Sequence, residues 1–218
     1  MRGLSVQVEV WSDIVCPWCY IGKRRFETAL EQFEHADQVE VLWRSFQLDP
    51  SYPRGRGEPV RDALAAKTGA SREQVRAMTA QVEKVAAEVG LEYDFENGFM
   101  VNTFDVHRLV HLAQSRGLGT KAHERFMHAQ LVEAKDLSDT ATLVELAVEI
   151  GLDAAEARRV LEGDDYAAQV REDGAAAQRL GGNGVPFFVI DRAFGISGAQ
   201  PVEVFASALE KAYRAASA

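Results

Sequence analysis

The apolar positions of the chain change their spacing twice before residue 46. Over residues 5–12 valines alternate with polar residues, which is the period-two pattern of a half-buried β-strand. Over residues 17–33 apolar residues recur at helical spacing, beginning with a proline that suits the first helical turn. Residues 39–46, V-E-V-L-W-R-S-F, return to β-forming types. This order predicts a βαβ unit with parallel strands and a right-handed crossover.

A loop and a long helical block follow. The stretch S-Y-P-R-G-R-G-E-P at 51–59 has the composition of a loop, and helical spacing prevails from there to about residue 180. Ser71 with Gln74 has the form of a capping box, and Asn102 or Thr103 is suited to cap a later helix. Predicted helices begin near residues 71, 102, 120, 139, 154 and 166.

The end of the chain returns to the strand pattern. The predicted elements are a turn at 181–184, a buried strand at 187–190, a tight hairpin turn at 191–192, a partner strand at 194–197 and a helix from Pro201. The whole order is β-α-β, a helical block, then β-β-α. It predicts an α/β fold in which residues 1–55 and 181–218 form one discontinuous domain around a helical insertion at 56–180.

Composition narrows the function classes. With 218 residues and 47% hydrophobic content the chain is long enough to bury a sizeable core. A net charge of −9 disfavours binding to nucleic acid and to anionic membrane surfaces. No run of about 18 apolar residues predicts a transmembrane helix, and Glu9 interrupts the only candidate for a signal segment. We therefore expect a cytoplasmic protein, in which permanent disulfides are disfavoured.

Both cysteines lie in D-I-V-C-P-W-C-Y-I-G-K-R-R-F, residues 13–26. The pair is half of a metal site, a structural disulfide, or a redox pair. A zinc site needs further ligands, and no second C-x-x-C or finger-spaced histidine pair is present, so we expect no metal. A thiol at a helix N-terminus is favoured as thiolate by the free N–H groups and the macrodipole. Cys16 then attacks a disulfide and Cys19, one turn on, resolves the intermediate.

A second signal is G-N-G-V-P-F-F-V at 182–189, where a Val-Pro peptide precedes a buried strand. Such a bond is compatible with the cis form, which is a small minority of X-Pro bonds, and an ordinary turn proline at the start of an edge strand is the more common case.

Together these stretches resemble the DsbA-like thiol–disulfide oxidoreductases of the thioredoxin superfamily, and within them the FrnE-type branch. The resemblance runs through essentially the whole chain. It is carried by residues 13–26, V-N-T-F-D-V-H-R-L at 101–109, G-V-P-F-F-V-I-D at 184–191 and S-G-A-Q-P at 197–201. It implies a thioredoxin fold with a large all-α insertion between the second and third strands, and a cis proline at Pro186 beside the cysteines.

The resemblance also implies roles for individual residues. Cys16 is the attacking and Cys19 the resolving thiol, and the backbone of Val185 pairs with an extended substrate segment. Trp18 flanks the sulfurs and shapes the approach of the substrate, or packs against the insertion.

Two further residues each have two interpretations. Asp13 either passes a proton to Cys19 or anchors the loop before Cys16. Asn102 either faces the substrate cleft or caps a helix.

The resulting prediction is a cytoplasmic thiol–disulfide oxidoreductase with a C-P-W-C active site. It has no cofactor, unless glutathione serves as co-substrate, and it acts on a disulfide- or thiol-containing protein or small molecule. The sequence does not identify its redox partner, and a homodimer is compatible with an apolar insertion. The alternative is a glutathione-dependent enzyme resembling 2-hydroxychromene-2-carboxylate isomerases or kappa-class glutathione transferases. Those typically carry serine where Cys16 stands, and this chain departs from them there.

Overall fold

The computed structural model describes residues 6–217, and its elements follow the predicted order. The strands are β1 (Val6–Ser12), β2 (Val39–Ser45), β3 (Glu58–Pro59), β4 (Phe99–Met100), β5 (Phe187–Ile190) and β6 (Phe194–Ser197). The helices are α1 (Pro17–Glu31), α2 (Val60–Thr68), α3 (Arg72–Ala87), α4 (Phe104–Ser115), α5 (Gly119–Leu131), α6 (Thr140–Ile150), α7 (Ala154–Glu162), α8 (Ala167–Arg179) and α9 (Val202–Ala216).

Four strands form the main sheet, in the order β2-β1-β5-β6. β1 and β2 are parallel over their whole length and are joined by α1, so the predicted βαβ unit is confirmed. β5 pairs antiparallel with β1, and β6 antiparallel with β5. The hairpin between them turns at Asp191 and Arg192, both with positive φ (49° and 56°), as tight hairpin turns require. The mixed α/β, thioredoxin-like fold is therefore as predicted.

One face of this sheet is closed by aromatic packing. The rings of Phe26 on α1, Phe188 on β5 and Phe205 on α9 lie with their centroids between 4.7 and 5.8 Å apart. Such edge-to-face and tilted pairs are the arrangement that aromatic side chains favour in cores. This packing holds α1, which carries both cysteines, firmly against the central strands.

The other face of the sheet is buried as well, which corrects the prediction of a half-buried β1. Trp11 packs with Ala177, Phe187 and Val189, and its indole N–H donates to the Asp173 carbonyl at 2.7 Å. Because the C-terminal part of α8 covers this face, even Glu9 is only 2% exposed. The alternating pattern of β1 therefore distinguishes the two faces of the sheet, but the face that carries the polar residues of β1 is not exposed to solvent.

The described chain divides into two compact units. One joins the chain up to Leu48 with the chain from Arg171 onward, and the other spans Asp49–Val170. The boundaries between the two units therefore lie several residues earlier in the chain than the predicted domain boundaries at 55/56 and 180/181.

The second unit is mainly helical. The capping box at Ser71 and Gln74 is confirmed, since each side chain bonds the other's backbone N–H. A two-residue antiparallel ladder, β3 with β4, is the one strand pairing here that the sequence pattern did not indicate. This ladder provides hydrogen-bond partners for backbone N–H and C=O groups where the chain enters α2. No local sequence pattern indicates which distant segment supplies such partners. Within residues 6–217 no helix has both the length and the apolar character needed to cross a bilayer.

Candidate active site

Cys16 lies at the start of α1, as the sequence predicts. It is the N-cap residue, with extended backbone (φ −86°, ψ 111°), and Pro17 follows in the first turn. The Cys16 N–H donates to the Asp13 carbonyl at 3.1 Å, and the Cys19 N–H donates to the Cys16 carbonyl at 3.0 Å. The first turn of a helix presents unpaired N–H groups and the positive end of the macrodipole. The Cys16 sulfur is therefore placed where an anion is favoured.

Cys19 is shielded one turn further along. It is 2% exposed, against 6% for Cys16, and both residues are free thiols. Burial raises the pKa of the Cys19 thiol well above its usual value, and the neighbouring Cys16 raises it further. The Asp13 backbone and the Ser12 hydroxyl act in the opposite direction, because they hydrogen-bond the sulfur. The two thiols are thus chemically unequal.

This pKa shift predicts a pH dependence of stability in the reduced protein. The Cys19 thiol of the unfolded chain loses its proton near pH 8.5, whereas the thiol of the folded chain keeps its proton to higher pH. Below about pH 8.5 the thiol is protonated in both states, and the free energy of unfolding has its full value. Above it, the free energy of unfolding is expected to fall by up to about 1.4 kcal/mol per pH unit, until the folded-state pKa is passed. Urea unfolding of reduced wild type and Cys19→Ala between pH 7 and 10 isolates the effect. A constant difference between the two proteins would contradict it.

The Val-Pro segment reaches the same place from the other end of the chain. The peptide bond between Val185 and Pro186 is cis. The Cys16 Sγ lies 3.8 Å from the Val185 carbonyl oxygen, so the thiol donates a weak hydrogen bond to it. One compact unit therefore contains Cys16, Cys19, Val185 and Pro186, although Cys16 and Val185 are 169 positions apart in the chain.

Asp13 is buried, and two of its contacts are those of an anchor. Its Oδ2 accepts the Leu48 N–H at 2.7 Å, and its carbonyl accepts the Cys16 N–H. These bonds tie the loop before Cys16 to the chain that leaves β2. The alternative, proton transfer to Cys19, stays a prediction.

Trp18 and Asn102 differ in setting. Trp18 lies between the cysteines and is 41% exposed. Asn102 belongs to the second unit, where its amide donates to the Tyr52 carbonyl and its side-chain oxygen accepts the Phe104 N–H. It thus ties a loop to the first turn of α4, while Thr103 is the N-cap residue and makes no side-chain cap bond. A part in substrate binding stays a prediction for both.

Two residues of this site, Ser12 and Gly22, are not among the predicted site residues. The buried Ser12 hydroxyl lies near the Cys19 sulfur and opposes the rise in the pKa of that thiol. Gly22, inside α1, lies directly against Pro186. An isolated glycine within a helical pattern lowers helix stability relative to alanine, so it indicates a packing requirement, and it was the available signal. Ser12 was noted only as the end of a strand.

No cluster of three or more histidine, cysteine, aspartate or glutamate side chains suited to a metal ion occurs among residues 6–217.

Comparison with known proteins places this geometry in context. The model of the DSBA-like thioredoxin domain matches residues 7–210. The uncharacterised protein YwbO of Bacillus subtilis (strain 168) is 30% identical over 208 residues, which cover 94% of this chain and 96% of that protein.

Two solved structures share the fold. The crystal structure of a probable DsbA oxidoreductase from Streptomyces coelicolor is 48% identical, with a TM-score of 0.92 over 96% of this chain and 90% of that one. A 2-hydroxychromene-2-carboxylate isomerase is 13% identical, with a TM-score of 0.71 over 95% of this chain and 96% of that one. The second likeness is one of fold alone. None of these matches distinguishes the FrnE-type branch, which stays a prediction.

Proposed function

Because the chain belongs to the family of DSBA-like thioredoxin domains, we propose that it is a thiol–disulfide oxidoreductase that works through Cys16 and Cys19. One observation carries this proposal. The Cys16 sulfur lies at a helix N-terminus 3.8 Å from the Val185 carbonyl, with Cys19 buried one turn behind it. A nucleophile at a helix N-terminus, backed by a protonated second thiol, is the arrangement that two-step disulfide exchange needs.

The reaction moves two electrons and balances within the pair. The Cys16 thiolate attacks one sulfur of a substrate disulfide, forming a Cys16–substrate disulfide and releasing the first substrate thiolate. Cys19 then loses its proton and attacks the Cys16 sulfur. This closes the Cys16–Cys19 disulfide and releases the second substrate thiolate, so the substrate is reduced and the pair oxidised. The reverse sequence oxidises a dithiol substrate.

The surroundings of the pair support a polypeptide substrate. An extended segment paired with the backbone at Val185 would bring its disulfide to the Cys16 sulfur, since the Val185 carbonyl already lies there. Trp18, exposed between the cysteines, offers an apolar face beside that segment. Asp13 holds the loop from which Cys16 projects.

The direction depends on the reduction potential of the pair and on the compartment. In the cytoplasm, where we place the protein, the glutathione poise keeps a pair of ordinary potential in the dithiol form, so that reduction of substrates prevails. No bound cofactor is needed, and glutathione as co-substrate would return the pair to that form.

The test is reduction of insulin-type disulfides with glutathione as reductant. Wild type is expected to exceed the uncatalysed rate, and a variant with both Cys16→Ser and Cys19→Ser is expected to match that background. A wild type no faster than glutathione alone sinks the proposal. If the double-serine variant instead turned over an aromatic enoate with glutathione as fast as wild type, a glutathione-dependent isomerase or transferase would replace it.

A further inference from the structure

Gly22 is the point where α1 touches the loop that carries Pro186. A Cβ atom at this position would lie 2.9 Å from the Pro186 Cγ and 3.4 Å from the Ala199 Cα. The first contact is closer than real side chains allow, and a proline ring atom cannot rotate away because the ring includes the backbone nitrogen. Glycine inside a helix costs about 1 kcal/mol relative to alanine. The close approach to Pro186 explains why glycine occupies this position despite that cost.

Two hydrogen bonds hold the same loop from its other side. The Arg25 guanidinium, on the next turn of α1, donates to the Ala199 carbonyl at 2.6 Å. The Gly198 N–H donates to the Pro186 carbonyl at 2.8 Å, and Gly198 has the positive φ (81°) that favours glycine. Pro186 is therefore fixed between Gly22 and Gly198, and the segment containing Gly198 is itself tied to α1 by Arg25.

From these contacts we propose that Gly22 and Arg25 are positioning residues, which hold the Val185 carbonyl at the Cys16 sulfur and thereby set how a substrate disulfide is presented for attack. This rests on the proposed function. Val185 adjoins Pro186 directly, so a displacement of the proline ring moves the backbone that would pair with substrate. Neither residue touches either sulfur, so each acts through the loop.

The proposal separates presentation of substrate from reactivity of the thiol. The helix N-terminus that favours the Cys16 anion is built from the first turn of α1 and stays in place when the loop moves. The loop itself contributes only one weak hydrogen bond to the thiol, at the Val185 carbonyl 3.8 Å away. A small alkylating agent needs no backbone pairing. Loop displacement should thus raise KM for a polypeptide disulfide and leave alkylation of Cys16 nearly unchanged. Replacing a residue that is needed only for packing would lower stability without raising KM selectively over the alkylation rate.

The first test compares Gly22→Ala with Gly174→Ala. Gly174 also lies inside a helix, α8, but a Cβ there meets nothing within 4 Å. Gly22→Ala is expected to raise KM for an insulin-type disulfide about tenfold, since sub-ångström displacements of reacting groups are costly. Gly174→Ala is expected to keep the wild-type KM. Alkylation of Cys16 by iodoacetamide, measured in Cys19→Ser backgrounds, should differ less than about twofold among the three.

The second test uses Arg25, which keeps the question open to experiment if Gly22→Ala does not fold. Arg25→Ala is expected to raise KM severalfold, and Arg25→Lys to recover much of the loss, because an ammonium still donates to the Ala199 carbonyl. Arg24→Ala is the matched control. Its guanidinium bonds two side chains of α1, Glu27 at 2.9 Å and Tyr20 at 3.0 Å.

The outcomes are distinct. Wild-type KM in both Gly22→Ala and Arg25→Ala overturns the positioning role and leaves the oxidoreductase proposal standing. A rise in KM matched by an equal fall in alkylation rate also overturns it, since the effect then lies on the thiol. A wild type without exchange activity overturns both proposals. A rise in KM confined to the Gly22 and Arg25 variants, with the controls unchanged, supports the positioning role.

Discussion

Cys16→Ser is expected to abolish disulfide exchange, whereas Cys19→Ser is expected to accumulate a stable disulfide between Cys16 and its substrate. The asymmetry follows from the site, in which only Cys16 lies at the helix N-terminus, and burial keeps Cys19 protonated. Loss of the nucleophile should lower the exchange rate on the order of 10³-fold or more, since the one other cysteine, Cys19, is buried and protonated and cannot replace it. Loss of the resolving thiol leaves the first step intact and removes the second.

Non-reducing electrophoresis and intact-protein mass spectrometry distinguish the two variants. After incubation with an oxidised insulin-type peptide, Cys19→Ser should gain the mass of one peptide chain, which dithiothreitol removes. Cys16→Ser should gain none. Equal trapping by both variants, or substantial turnover by Cys16→Ser, would show that the order of attack is not the one proposed.

Arg44→Met is expected to lower the free energy of unfolding by about 3 kcal/mol, because it leaves a buried carboxylate in the centre of the sheet without its main partner. Glu9 is 2% exposed on β1. Its Oε1 accepts two hydrogen bonds from the Arg44 guanidinium, from Nε at 2.9 Å and from Nη2 at 2.7 Å. Such charge-assisted pairs offset the desolvation of both ions only while both are present.

Arg192→Met is the matched control for this prediction. Arg192 also contacts Glu9, with its Nε 3.2 Å from Oε2, but it is 71% exposed. Its removal should cost no more than about 1 kcal/mol, as for other solvent-exposed pairs. Urea unfolding at pH 7 measures both variants. Combining Glu9→Gln with Arg44→Met should recover part of the loss, because the unpaired charge is then gone. Equal losses in Arg44→Met and Arg192→Met would contradict the assignment.

Much of the local structure was predictable because its causes lie within a few residues. The period of the apolar positions predicted the strand–helix–strand start, and the Ser71–Gln74 capping box marked the start of α3 correctly. The C-x-x-C spacing placed Cys16 at a helix N-terminus. Each of these features depends on hydrogen bonds or side-chain periods that close within one or two turns of chain.

What the sequence by itself determined is therefore the order of the elements and which end of α1 carries the sulfurs. Only the tertiary structure decided which distant groups meet them: the Ser12 hydroxyl near Cys19, and Gly22 against Pro186. It also decided that Glu9 is buried, since that depends on α8 covering the second face of the sheet. A hydrophobic period specifies the face of an element, but not its partner, because partners are selected by packing between segments far apart in the chain.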